Sequence, residues 1–197
     1  MALSYSGIAV ELREIELKNK PAEMLAASAK GTVPVLILPD ANVIDESRDV
    51  IDWALAQHDP DNWLLEQHIG LQDVGVSLID RNDGEFKGYL DRYKYADRYP
   101  DFTEVHYRTQ GEPFLAQLDE RLQSSRYLLG DKLSVADVAI MPFIRQFAHV
   151  DIHWFRRTQY TALQCWLDEF LASALFNRVM EKYKPWVAGS ELICLPC

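Results

Sequence analysis

The hydrophobic pattern of the chain changes character once, and that change limits its fold more than any other feature. Up to residue 57 it alternates short apolar runs of strand length with short amphipathic stretches. His58-Asp59-Pro60-Asp61-Asn62 is then a polar, Pro-containing linker, and beyond it only helical patterns follow. A small α/β domain ahead of an all-helical one accounts for both halves.

In the first part, residues 10–15 have the polar–apolar mixture of a short strand, with Gly7 before them as a helix stop. Residues 21–29 read as a short helix opened by Pro21, where the missing N–H costs nothing. Residues 33–38 are a continuous apolar run containing Pro34, and Pro39-Asp40-Ala41-Asn42 turns it into a second short strand at Val43-Ile44. Ser47 then suits the cap of a helix whose Val50, Ile51, Ala54 and Leu55 recur at helical spacing. In the second part, helices are expected over 63–80, broken at Arg81-Asn82-Asp83-Gly84, and around Leu118, with Pro113 marking a kink or a fresh start. Ser134-Val135-Ala136-Asp137 is a capping box with Asp in the Glu position, opening a helix apolar on nearly every side. Leu163, Trp166, Leu167 and Phe170 line another helix, with Cys165 read as a core thiol, and Phe176, Val179, Met180 and Tyr183 a last one.

Composition excludes several function classes. With 48% hydrophobic and 25% charged residues the chain is globular, and a net charge of -10 argues against a nucleic-acid footprint. No apolar run approaches the roughly 18 residues of a membrane span, and no signal-like segment follows Met1. Three cysteines make no disulfide framework, which points to a reducing cytoplasm. The five histidines show no metal-ligand spacing, so no metal is expected.

The ordered series Lys20-Pro21, Val33-Pro34 and Glu46-Ser47, with Ser-Val-Ala-Asp downstream, resembles the cytosolic glutathione transferases. Within them it is most similar to the cysteine-type, omega-like and bacterial members. The resemblance covers essentially the whole chain. It implies a thioredoxin-like glutathione-binding domain over 1–57 and an all-helical domain over 63–197. It implies that Val33 pairs through its backbone with the cysteinyl part of glutathione beside a cis Pro34, because X–Pro is the bond for which cis is cheap. Glu46 and Ser47 would hold the γ-glutamyl end at a helix N-terminus, and Lys20 the glycyl carboxylate. Each piece also has a plainer reading. Val-Pro occurs in edge strands, Glu-Ser in simple caps, and a lone lysine is by default solvated. Tyr89 and Tyr93, four apart on one helix face, suit either the wall of an electrophile pocket or ordinary packing.

By the same resemblance, Met1 to Ile8 matches only the end of the family's first helix, which places the first strand and the catalytic cysteine upstream of Met1. No catalytic residue is therefore expected within the chain, and impaired turnover is. Three alternatives stand: a longer native product, a substitute strand such as the apolar tail 192–195 or a partner's strand, or a defective α/β half. The implied function is transfer of glutathione to an electrophile or mixed disulfide, with glutathione as co-substrate and a homodimer as the working form. A non-catalytic adaptor of the same fold is the alternative. Cys194 and Cys197 form a C-x-x-C without a following helix to lower a thiol pKa, so a frayed end is expected there rather than a redox site.

Overall fold

A computed structural model describes residues 1–195 and divides them into two compact units. One is Met1–Asp61 together with the stretch from Ala174 onward, and the other is Asn62–Ser173.

The first unit begins with helix α1 (Ala2–Tyr5), which Gly7 ends at a φ of 66° that other residues adopt with strain. Strand β1 (Val10–Leu12), helix α2 (Ala22–Ala27), strands β2 (Leu36–Ile37) and β3 (Val43–Ile44) and helix α3 (Ser47–Gln57) follow in the expected order. The strand expected over 33–38 is shorter, since Pro34 offers no N–H to a ladder and pairing starts at Leu36; the Val33-Pro34 peptide is cis. β2 and β3 form an antiparallel hairpin with Leu36 opposite Ile44 and Ile37 opposite Val43. Its turn is closed by Ala41 at a φ of 66° and by the Asp40 carboxylate accepting from the Asn42 N–H.

The expected helical domain over 63–197 ends instead at Ser173. Helix α10 (Ala174–Val179) packs against α1, and a last strand β4 (Ile193–Leu195) lies antiparallel on β1, pairing Val10 with Leu195, Glu11 with Cys194 and Leu12 with Ile193. Both strands turn their outer two residues inward and leave Glu11 and Cys194 exposed, so the apolar faces coincide. The apolar tail read from the sequence as 192–195 is thus paired with β1 over residues 193–195. β1–β4 and β2–β3 are two separate two-stranded sheets. The sequence-level C-x-x-C includes Cys197, which lies outside the described residues.

In the second unit, helix α4 (Ile69–Arg81) runs through a π-helical turn (Asn82–Phe86) into α5 (Lys87–Lys94). The break expected at Arg81 to Gly84 is therefore an extra residue absorbed by a wider turn, with Asn82 and Phe86 buried. Helix α6 (Glu104–Ser124) likewise continues through Pro113. Helix α7 (Val135–Val150) is the buried axis, with Ile140, Met141, Ile144 and Phe147 fully enclosed. α8 (Ile152–Arg156) and α9 (Thr161–Ala172) complete the unit. A Cβ on Gly111 of α6 would stand 2.7 Å from the Phe147 ring, so only glycine leaves room for that ring against α6.

Asp137 carries the start of α7. Its carboxylate accepts from the backbone N–H and hydroxyl of Ser134, the N–H of Leu128 at 2.9 Å and the indole N–H of Trp166 at 2.9 Å. Burial pushes its pKa up, against the pull of those bonds. Cys165 is exposed rather than in the core: the apolar face of α9 is Leu163, Trp166, Leu167 and Phe170, and Cys165 falls between them on the solvent side. Among the described residues no helix is long and apolar enough to cross a membrane.

Candidate functional site

The residues singled out in the first unit are set around the hairpin by the two loops that flank it. Glu16 and Asn19 bridge in a tight turn, so Lys20 emerges just ahead of α2 with Pro21 in the cap position. Its ammonium lies near Gly31: a Cβ there would be 3.8 Å from Lys20 Nζ and 3.2 Å from a Leu25 methyl. Gly31 holds a φ of 59°, which lets the chain turn from α2 into the Val33-Pro34 peptide. Val33 is half exposed, and no backbone hydrogen bond from its N–H or to its C=O occurs among the described residues. Its backbone N–H and C=O are thus without a backbone partner in the bend ahead of β2.

On the other side of the hairpin the cap of α3 differs from expectation. Glu46, extended at φ -113° and ψ 136°, is the cap residue, and Ser47 is the first helical residue. Neither side chain caps the helix, and the helix end favours an anion. Glu46 is not an isolated carboxylate. Lys30 donates to it at 2.6 Å and to Asp45 at 3.0 Å, and the buried Ser28 hydroxyl donates to Asp45 at 2.7 Å. The hydrogen bonds from Ser28 and then Lys30 hold the Asp45 carboxyl below the usual aspartate range. Those to Glu46 and then Asp45 raise Lys30. This clasp ties the turn after α2 to the start of α3, one on each side of the hairpin.

The structure thus brings Lys20 to Gly31, two residues before Val33, and Glu46–Ser47 to Lys30, three residues before it. Sequence reading missed Ser28, Lys30 and Asp45. A cation one residue ahead of the Gly-Thr-Val-Pro turn, with Asp-Glu before the following helix, was the available signal. It also missed a cavity of about 120 Å³ beside Val33, lined by Arg13, Ile15, Met24, Val33, Ile37 and Trp186 among others.

The tyrosines belong to the helical unit. Tyr93 is 1% exposed, its ring 4.9 Å from that of Phe147, and burial raises its hydroxyl pKa against the pull of Arg108. It packs the core of its unit. Tyr89, one turn earlier on α5, is only partly buried. Among the described residues no cluster of three or more His, Cys, Asp or Glu could hold a metal.

Two family models match the chain. One is the glutathione S-transferase N-terminal domain, over residues 1–63, and the other the glutathione S-transferase C-terminal domain, over residues 80–169. No curated protein matches. Solved structures of similar fold include a glutathione S-transferase from Rhodospirillum rubrum F11, 21% identical with a TM-score of 0.72, covering 93% of this chain and 86% of that one. A glutathione transferase from Phanerochaete chrysosporium in complex with oxidized glutathione is 17% identical with a TM-score of 0.75, covering 90% and 86%. A glutathione transferase from Pseudomonas putida, with one glutathione disulfide bound per subunit, is 18% identical with a TM-score of 0.72, covering 89% and 82%. At such identities the likeness is one of fold.

Proposed function

Because the chain belongs to the glutathione S-transferase family, we propose that the hairpin edge at Val33 binds glutathione and that the protein is a cysteine-type thiol transferase. The observation that carries this reading is the half-exposed Val33 backbone, unpaired ahead of a cis Pro34 and flanked by Lys20 and by the open end of α3. The cysteinyl part of the tripeptide takes the Val33 N–H and C=O as an added strand would. The γ-glutamyl carboxylate accepts from the leading N–H groups of α3 and from the Ser47 hydroxyl. Glu46, steadied by Lys30, meets the ligand's ammonium, and Lys20 meets the glycyl carboxylate as a point charge.

The groups gathered there bind and orient; none is a nucleophile. In the transfer step a cysteine thiolate attacks the glutathionyl sulfur of a mixed disulfide, the new S–S bond forms, and the former partner leaves as thiolate. That cysteine is assigned to none of Cys165, Cys194 or Cys197. Tyr89 is the residue of the helical unit kept for an electrophile wall. A homodimer and a cytoplasmic location accompany the reading, as the family resemblance implies. A non-catalytic adaptor shares the fold and the groove and differs only in turnover.

Isothermal titration with reduced glutathione tests the binding, and a mixed-disulfide reduction assay tests the chemistry. Saturable binding that weakens about tenfold in Ser47→Ala is the expected result, a hydrogen bond to a charged group being worth about 1.5–3 kcal/mol. Absence of binding sinks the reading, and ordinary transferase rates would overturn the expectation of impaired turnover.

A further inference from the structure

The C-terminal segment enters the same cavity as Val33. Over residues 184–192 every side chain is exposed except Trp186, which is half-buried. Its backbone N–H donates to the Glu14 carbonyl at 2.7 Å, just past the end of β1. The Arg13 guanidinium lies over the indole at 4.7 Å from its centre, a distance at which a cation is attracted to the ring face. The indole itself lines the cavity with Ile15 and Arg13 from the β1 side and with Val33, Val35 and Ile37 from the hairpin side. β1 pairs with β4 and β2 with β3, so no ladder joins the two sheets, and Trp186 lines the cavity that both border.

We infer that Trp186 is a positioning residue for the candidate site: it holds the β1 edge and the Val33 hairpin to one groove wall, so that docking of the C-terminal segment and ligand binding support each other. The inference rests on the glutathione reading for its ligand, but the bridge between the two sheets stands on the geometry alone. The Glu14 carbonyl holds the Trp186 backbone and the Arg13 guanidinium lies over its indole, while Val33, Val35 and Ile37 line the same cavity as the ring. Removing the ring takes away one wall of the cavity that Arg13 and Ile15 share with Val33, Val35 and Ile37. By linkage the effect is reciprocal: if the docked tail favours the ligand, the ligand must favour the docked tail.

Amide hydrogen exchange and titration calorimetry on the full chain test this with Trp186→Ala and Trp186→Phe. In the ligand-free protein, Trp186→Ala is expected to speed exchange at β2 and β3 as well as at β1, while α6 and α7 stay unchanged and Trp186→Phe restores protection. In the wild type, glutathione should slow exchange at Trp186 and in β4, and Trp186→Ala should weaken its binding about tenfold while Trp186→Phe stays within about threefold. A plain packing role gives the tail amides only the uniform slowing that bound ligand gives the whole first unit, whereas coupling gives them more. Loosening confined to β1 and β4, or glutathione binding that leaves the tail amides unprotected and the affinity of Trp186→Ala unchanged, overturns the inference. Should the first unit of Trp186→Ala fail to fold, the Trp186→Phe rescue and the wild-type tail protection decide. A wild type that binds no glutathione defeats the site reading, and the ligand-free exchange pattern still decides the bridge.

Discussion

Ser47 and Lys30 divide the work at the start of α3. The Ser47 side chain makes no capping bond, so Ser47→Ala should leave the denaturation midpoint within about 0.5 kcal/mol while lowering glutathione affinity. A loss of stability matching the loss of affinity would make it structural. Asp45 gives this corner a pH dependence with a definite sign. Its folded pKa is depressed, first by Ser28 and then by Lys30, so its stabilising effect is complete above the unfolded value, about 3.9. That effect is lost as pH falls through the lower folded value. Lys30, raised by its partners, stays charged throughout that range. Carboxyl titration by NMR should show Asp45 titrating below a free aspartate in the wild type and moving back toward it in Lys30→Ala. No movement in that variant would separate the two groups. The cis Val33-Pro34 peptide was legible through the family resemblance, and the start of α3 through the local Glu-Ser cap signal, one residue out. The Ser28–Asp45–Lys30–Glu46 clasp was not, since its partners are 15 to 17 residues apart and meet only when the hairpin folds.

At the scale of elements, helices were easier to read than their ends. The capping box at Ser134 and Asp137 announced α7 with both its start and its burial. Tertiary packing overrode local signals elsewhere. Asn82–Phe86 carries the residues of a break yet continues as a π turn, because Asn82 and Phe86 lie in the core. Pro113 sits inside α6 because the apolar face on both sides of it, Tyr107, Phe114, Leu115 and Leu118, is buried together. Gly111→Ala should overpack the α6–α7 crossing and cost about 1–3 kcal/mol in urea denaturation, since its Cβ would meet Phe147 at 2.7 Å. A neutral result would mean the ring moves aside freely. Asp137→Ala removes the acceptor of Ser134, Leu128 and Trp166 and should cost at least about 2 kcal/mol. Near-UV circular dichroism of the tryptophans would register it, and an unchanged spectrum with unchanged stability would contradict the role given to the carboxylate.

On the scale of the whole molecule, the polar linker at 58–62 stands at the division between the units and the tail 192–195 was legible as one candidate strand, whereas the return of helix α10 to the first unit was not. A three-residue strand such as Ile193–Leu195 has no pattern of its own, and its alternation becomes meaningful only beside Val10–Leu12. Trp186 was equally silent, one aromatic in a polar stretch whose partners lie over 150 residues earlier. The claim on which the functional reading turns is that glutathione lies along the hairpin edge. Backbone amide shifts in an isotope-labelled sample, followed through a glutathione titration, test it most directly. Saturating shifts at Val33, at the first residues of α3 and at Gly31 are the expected result. Shifts confined to the helical unit, with Val33 unmoved at saturation, would contradict it.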